Sequence, residues 1–221
     1  MEIGLIFLAL ILASLIAWLL KQSFNTQPWV AEGADGVEEA RYQAPFNARP
    51  KAVALATFLA VATSFFALIV SAYSLRMELG DWVPLTEPQL LWTNTVILVL
   101  ASIAFQWTRG AARTANSTRI KAGLIVTGLL TTAFLVGQFI AWQQLVAAGH
   151  GVTNNPADAF FYLLTGVHAI HILGGMYVWF RATLRAFAGS ESVEESIQLC
   201  TVYWHFLLVV WLVLFGLMLS T

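Results

Sequence analysis

From Phe160 to Trp179 the chain reads FFYLLTGVHAIHILGGMYVW, twenty residues without a single Asp, Glu, Lys or Arg. A stretch of that length and character crosses a hydrocarbon core of ~30 Å as a helix. Helix is the form it must take, because lipid offers no hydrogen bond to an exposed backbone N–H or C=O. Two histidines, His168 and His171, sit inside the stretch at a spacing that puts them on one helical face. Polar groups at this depth face protein and not lipid. Gly166, Gly174 and Gly175 permit another helix to approach closely. The best partner is the last apolar segment, YWHFLLVVWLVLF from Tyr203 to Phe215.

Five further segments share this character, and together they predict an all-α, polytopic membrane protein of six transmembrane helices in one bundle. The spans run from about Ile3 to Leu20, Ala52 to Tyr73, Leu90 to Trp107, Ala122 to Val146, Ala159 to Phe180 and Ile197 to Leu219. Composition agrees: 59% of the residues are hydrophobic and 10% charged, against an apolar share of ~45–50% in ordinary soluble domains. A net charge of −1 gives no reason to expect nucleic acid as a partner. The single cysteine, Cys200, rules out a disulfide framework and any multi-cysteine metal site. Nine tryptophans and five tyrosines suit a chain with two membrane–water interfaces.

The first span carries only Glu2 before its apolar run and no small-residue cleavage site after it, so residues 1–21 read as a retained anchor and not a signal peptide. Residues 22–50 form a connector rich in Pro, Gly and acids, and residues 51–221 form a five-helix domain. Ten of the eleven basic residues flank the first, third and fifth loops; only Arg76 lies in another. The positive-inside rule makes that side cytoplasmic, which puts the connector inside and both termini on the outer, periplasmic side.

Ion or proton transport across a membrane needs ionisable groups within the spans, and the six apolar cores contain no Asp, Glu, Lys or Arg. A haem needs axial ligands such as His or Met. The intramembrane histidines are His168, His171 and His205, and the first two are too close for separate stacked haems. Counting leaves room for one haem held between the fifth and sixth spans. Zinc or copper wants more imidazole or sulfur ligands than the chain places together. The simpler reading is a structural polar cluster of His168, His171, His205 and Gln198 joining the last two helices. Depth along the helices pairs His171 with His205. No residue is assigned as catalytic, cofactor-binding or metal-ligating. Asn94, Gln106, Gln138, Gln143 and Thr165 read as further hydrogen-bonding contacts between helices.

The last two spans resemble subunit III of the haem–copper terminal oxidases. That family's motif of paired Phe, then Thr-Gly, then two histidines is matched by Phe160, Phe161, Thr165, Gly166, His168 and His171, with Gly174 following. Its last helix, beginning Tyr-Trp-His-Phe and continuing to Val-Val-Trp, is matched by Tyr203, Trp204, His205, Phe206, Val209, Val210 and Trp211. Asn94-Thr95 and Gln138 are weaker echoes. The resemblance covers roughly residues 51–221; the first span and the connector have no matching motif.

The resemblance implies a non-catalytic integral subunit of a proton-pumping oxidase of aerobic respiration, with no active site in this chain. Haem and copper are then expected in partner subunits, with catalytic subunit I as the neighbour that this chain stabilises. Bound phospholipid is expected too. A bacterial plasma membrane is expected in preference to a mitochondrial inner membrane. Leu208 stands where the family usually has Asp, Ala62 where many members have Glu, and Gln198 where many have Glu. Roles tied to those carboxylates are therefore not implied for this chain. Members usually have five or seven spans. The alternatives are a subunit-III-like accessory protein of another haem–copper enzyme, such as a nitric oxide reductase, and a free-standing membrane haem protein or transporter.

The topology is testable by labelling. Single cysteines at Gly36, Asn116 and Ser190 should resist an impermeant thiol reagent applied from outside, whereas cysteines at Asn155 and Ser220 should react. Outside labelling at Gly36 would overturn the assignment of the first span.

Overall fold

Each apolar segment within the described residues forms a helix that outruns its apolar core. The structure is a computed structural model and describes residues 50–84, 88–189 and 193–220. The first span, nearly all of the connector and positions Gly36 and Ser190 lie outside those residues. The helices are α1 (Pro50–Met77), α2 (Leu90–Arg113), α3 (Ser117–Ala147), α4 (Pro156–Phe187) and α5 (Val193–Leu219). All five are long and apolar enough to cross a membrane. The apolar pattern marks only the hydrocarbon crossing. The helices continue past it because backbone hydrogen bonding persists through the interfacial layer, where polar side chains are welcome.

Local signals start and stop these helices. Asn116 and Asn155 cap α3 and α4 by accepting bonds from the backbone N–H of Arg119 at 3.1 Å and Ala157 at 3.3 Å. Pro156 opens α4, where a missing N–H costs nothing. Gly149 and Gly189 follow α3 and α4 at φ of 89° and 73°, the left-handed conformation that glycine adopts without strain.

The contacts divide the chain into two units, residues 1–71 and 72–221. In the first, α1 runs to Ser71, and its hydroxyls turn inward on their own helix. Thr57, Thr63 and Ser64 donate to the carbonyls of Val53, Leu59 and Ala60 at 3.1, 2.7 and 3.0 Å. These three hydroxyls are satisfied within their own helix. In the second unit, α2 packs on α3, α3 on α4, α4 on α5 and α5 back on α2, closing a ring of four helices. Short connections make successive helices antiparallel. The α1 end closes onto the turn behind it through Arg76 and Asp81, paired at 2.6 and 2.5 Å. That guanidinium holds the Asp81 carboxyl below the usual carboxylate range.

Small residues bring α2 and α3 together at both ends of their contact. A Cβ on Gly123 would run into the Thr108 side chain, and one on Gly137 into Asn94. At the end marked by Arg113 and Lys121, the basic end, Ala112, Leu124, Ala186, Val193 and Ile197 form an apolar plug drawn from all four helices.

Replacing Gly137 with Leu should therefore force α2 from α3. Overpacking of this kind costs ~1–3 kcal/mol. The detergent-solubilised protein should unfold at lower temperature, and Gly110→Leu, which faces open space, should leave the midpoint nearly unchanged.

Candidate functional site

The polar groups of the second unit gather in its core, and most of them join helices. His168 is buried on α4, with Nε2 3.1 Å from the carbonyl oxygen of Leu207 on α5. A carbonyl only accepts, so Nε2 carries the proton and donates. The ring lies 5.2 Å from the Trp211 ring and meets Phe134 of α3 edge-on at 5.9 Å. Trp211 reaches the fourth helix of the ring, its indole N–H donating to Thr95 Oγ1 on α2 at 2.9 Å.

That last bond belongs to a repeated device. Trp204 Nε1 donates to Thr131 Oγ1 across the ring at 3.1 Å, and Trp142 Nε1 to Thr165 Oγ1 at 3.0 Å. Each threonine passes its own hydroxyl hydrogen to a carbonyl one turn back: Thr95 to Leu91, Thr131 to Thr127 and Thr165 to Phe161, at 2.7–2.8 Å. Its lone pairs are then free for the indole, so neither group is left unsatisfied in hydrocarbon. Trp204 and Trp211 are among the largest fully buried side chains. The tryptophans thus serve the core as well as the interfaces that composition alone suggested. Trp179 adds a fourth indole bond, to the carbonyl of Leu124 at 3.1 Å.

The four residues expected to form one polar cluster have separate contacts. His168 ties α4 to α5. His171 turns Nδ1 to Val167 O on its own helix at 2.8 Å. His205 turns Nδ1 to Thr201 O at 2.8 Å and lies 3.3 Å from Ser102 Oγ on α2. Gln198 is half-buried near the basic end of α5. Depth matched His171 to His205, but angle around the helix separates them. Tyr203 is the α5 residue that faces α4 here, donating its hydroxyl to His171 O at 2.8 Å. His205, two residues on, points ~200° away at ~100° per residue. The close approach falls on Gly175, where a Cβ would strike the Tyr203 ring; Gly174 faces open space and Gly166 keeps an ordinary distance from Trp142.

A buried acid also escaped the reading of the apolar cores. Asp158 lies one residue before the predicted fifth span, in the first turn of α4, and is 1% exposed. His150 Nδ1 stands 3.3 Å from its Oδ1, and Tyr162 donates to the His150 carbonyl at 2.9 Å. The signal was available: an acid just after Asn-Asn-Pro is placed for a helix N-terminus. Within the α2–α3 seam the amides of Asn94 and Gln138 are buried with no hydrogen-bond partner among the described residues.

Among the described residues, no three His, Cys, Asp or Glu side chains come together as a metal site. The Nε2 of His168 is engaged by Leu207, and its ring is held between Trp211 and Phe134. Most of the buried polar side chains described here bind helix to helix, in an all-helical chain whose five described helices are long and apolar enough to cross a membrane.

Comparison with known proteins gives that class its family. The model of the family described as cytochrome c oxidase subunit III matches residues 6–220. The match takes in most of the predicted first span and the predicted connector, for which the motifs offered no counterpart. A relative from Mycobacterium leprae, "Probable cytochrome c oxidase subunit 3", is 28% identical over 177 residues, covering 76% of this chain and 87% of the relative. "Cytochrome c oxidase subunit 3" of Corynebacterium diphtheriae is 30% identical over 179 residues, covering 76% and 87%. The Synechocystis protein of the same name is 27% identical over 166 residues, covering 72% and 70%. The chain belongs to the cytochrome c oxidase subunit III family and is a subunit III of a haem–copper oxidase of the respiratory chain. It works in a complex with other oxidase subunits.

His168→Leu should remove the α4–α5 bond and destabilise the purified protein, within the ~1–2 kcal/mol typical of intramembrane hydrogen bonds. His168→Gln, which keeps a donor, should recover part of the loss. Trp211→Phe should also destabilise, and the double variant should fall short of the sum, because the two rings touch. Thermal unfolding in detergent measures all four. Strict additivity would show that the ring contact contributes nothing.

Proposed function

We propose that this subunit stands beside the large subunit that carries the haems and copper, and supports it without contributing a redox group of its own. The observation that carries the reading is the use made of the buried polar side chains. Threonines, indoles and His168 are consumed in joining helices. A scaffold of this kind lends rigidity to a neighbour that must hold metal centres in fixed geometry.

The finer features follow the same reading. The chain crosses the membrane six times, with both termini outside, an anchor over residues 1–21, a cytoplasmic connector over 22–50 and a five-helix domain over 51–221. The basic residues around the first, third and fifth loops support that orientation. The membrane is a bacterial plasma membrane, supported by relatives from Mycobacterium, Corynebacterium and Synechocystis. Phospholipid fills the grooves between the subunits. The histidines and Gln198 act in packing and assembly and bind no haem or copper.

Proton movement belongs to the large subunit. The predicted span cores hold no acid, and Asp158 lies at a helix end, which is not a position for a path across the membrane. Deleting this subunit should therefore leave an oxidase that is active at first and inactivates several-fold sooner under turnover. Oxygen uptake followed over time, together with proton release, checks this. A durable enzyme that had simply lost its pumping would overturn the reading, as would stoichiometric haem in the chain purified alone.

A further inference from the structure

Burial leaves the Asp158 carboxylate incompletely satisfied. The side chain sits in the first turn of α4 at 1% exposure, and its Oδ1 has no hydrogen-bond partner among the described residues. His150 Nδ1 is 3.3 Å away, near enough for a hydrogen bond but not aligned for one. A buried carboxylate is costly unless it is paired with a cation or holds a metal ion.

The separation of the two atoms suits a shared metal ion. Zinc binds imidazole nitrogen and carboxylate oxygen at ~2.0–2.1 Å, and two such bonds at a tetrahedral angle put the ligand atoms ~3.3–3.4 Å apart. The donor types agree, since imidazole suits zinc whereas calcium and magnesium take oxygen. His150 Nδ1 ligates through its lone pair, which leaves the ring proton on Nε2. The His150 side chain is 39% exposed, so water reaches the remaining positions around an ion held there.

Both ligands stand on braced backbone. The His150 N–H donates to the carbonyl of Leu145 at 2.9 Å, and its own carbonyl accepts from the Tyr162 hydroxyl at 2.9 Å. Asp158 follows Asn155 and Pro156, which start α4, and the Asn155 side chain also donates to the Val83 carbonyl. Little has to be ordered when an ion arrives, which lowers the cost of binding. The pair lies at the end of the ring opposite the basic end, and His150 is in the connection between α3 and α4, where a hydrated ion can approach.

We propose that His150 Nδ1 and Asp158 Oδ1 form a zinc site completed by water. Structural zinc takes four protein ligands; two make an open site from which the ion exchanges. The bound ion clips the α3–α4 connection to the first turn of α4.

The experiment adds zinc to the full-length chain, purified in detergent and freed of metal with a chelator. Calorimetry should show one ion bound with half-saturation below ~1 mM. X-ray absorption at the zinc edge should show one imidazole among oxygen neighbours at ~2.0–2.1 Å. His150 is the only one of the four histidines outside the predicted spans, so that imidazole marks the site. His150→Gln and Asp158→Asn should each weaken binding at least tenfold. Zinc should raise the unfolding midpoint of the unaltered chain but not that of His150→Gln, and calcium should raise neither. If Asp158→Asn does not fold, His150→Gln decides alone, because that side chain reaches water and the Tyr162 bond goes to its backbone. No binding below that concentration, an all-oxygen shell, or undiminished binding in either variant that folds would overturn the site.

Discussion

The indole-to-threonine bond is the interaction on which the four-helix ring depends. Between helices in lipid there is no hydrophobic force to gain, since the tails are as apolar as leucine. Cohesion comes from close contact and from polar groups that find each other. A tryptophan delivers a large packing surface and one donor that must be met; a threonine that has turned its hydrogen to its own backbone offers acceptors with nothing left to satisfy. Trp211 with Thr95, Trp204 with Thr131 and Trp142 with Thr165 repeat the solution on three different helix pairs. His168 adds the fourth pairing, α4 to α5, by a bond to a backbone carbonyl.

These bonds act together with small residues. Gly123 and Gly137 let α2 lie against α3 so closely that Thr108 and Asn94 occupy the space of the missing side chains. Gly175 does the same for Tyr203, whose hydroxyl then reaches the backbone at His171. At Gly175 the close approach permits the polar contact; at Gly123 and Gly137 it is a matter of shape alone. A ring built this way tolerates little sliding between helices.

Hydropathy made the helices legible, because a run of apolar residues long enough to cross lipid has one stable form. The family was legible in the order of short motifs on the last two helices. The wiring of the core was not. Depth along a helix can be counted from sequence, but the pairing of His171 with His205 also needed the angle between helices, which packing sets. Threonine and tryptophan are common in membrane segments, and nothing in the spacing of Thr131 and Trp204 shows that they meet across the ring. Asp158 fell just outside an apolar window. A scan for uncharged runs stops at the residue that matters there.

The lengths of α3 and α4 bear on how the protein sits in its bilayer. With 31 and 32 residues, each helix measures about 47 Å at ~1.5 Å per residue, well beyond a hydrocarbon thickness of ~30 Å. The surplus must tilt within the membrane or stand among the headgroups. Arg181 and Arg185 on α4, and Arg119 and Lys121 on α3, occupy that surplus at one end. Their ammonium and guanidinium groups can reach phosphate but resist entering the oil. These side chains set a limit on vertical travel, as a float sets the waterline of a hull. A bilayer of different thickness would then be met by a change in lean, while the level of the charged rim stayed the same.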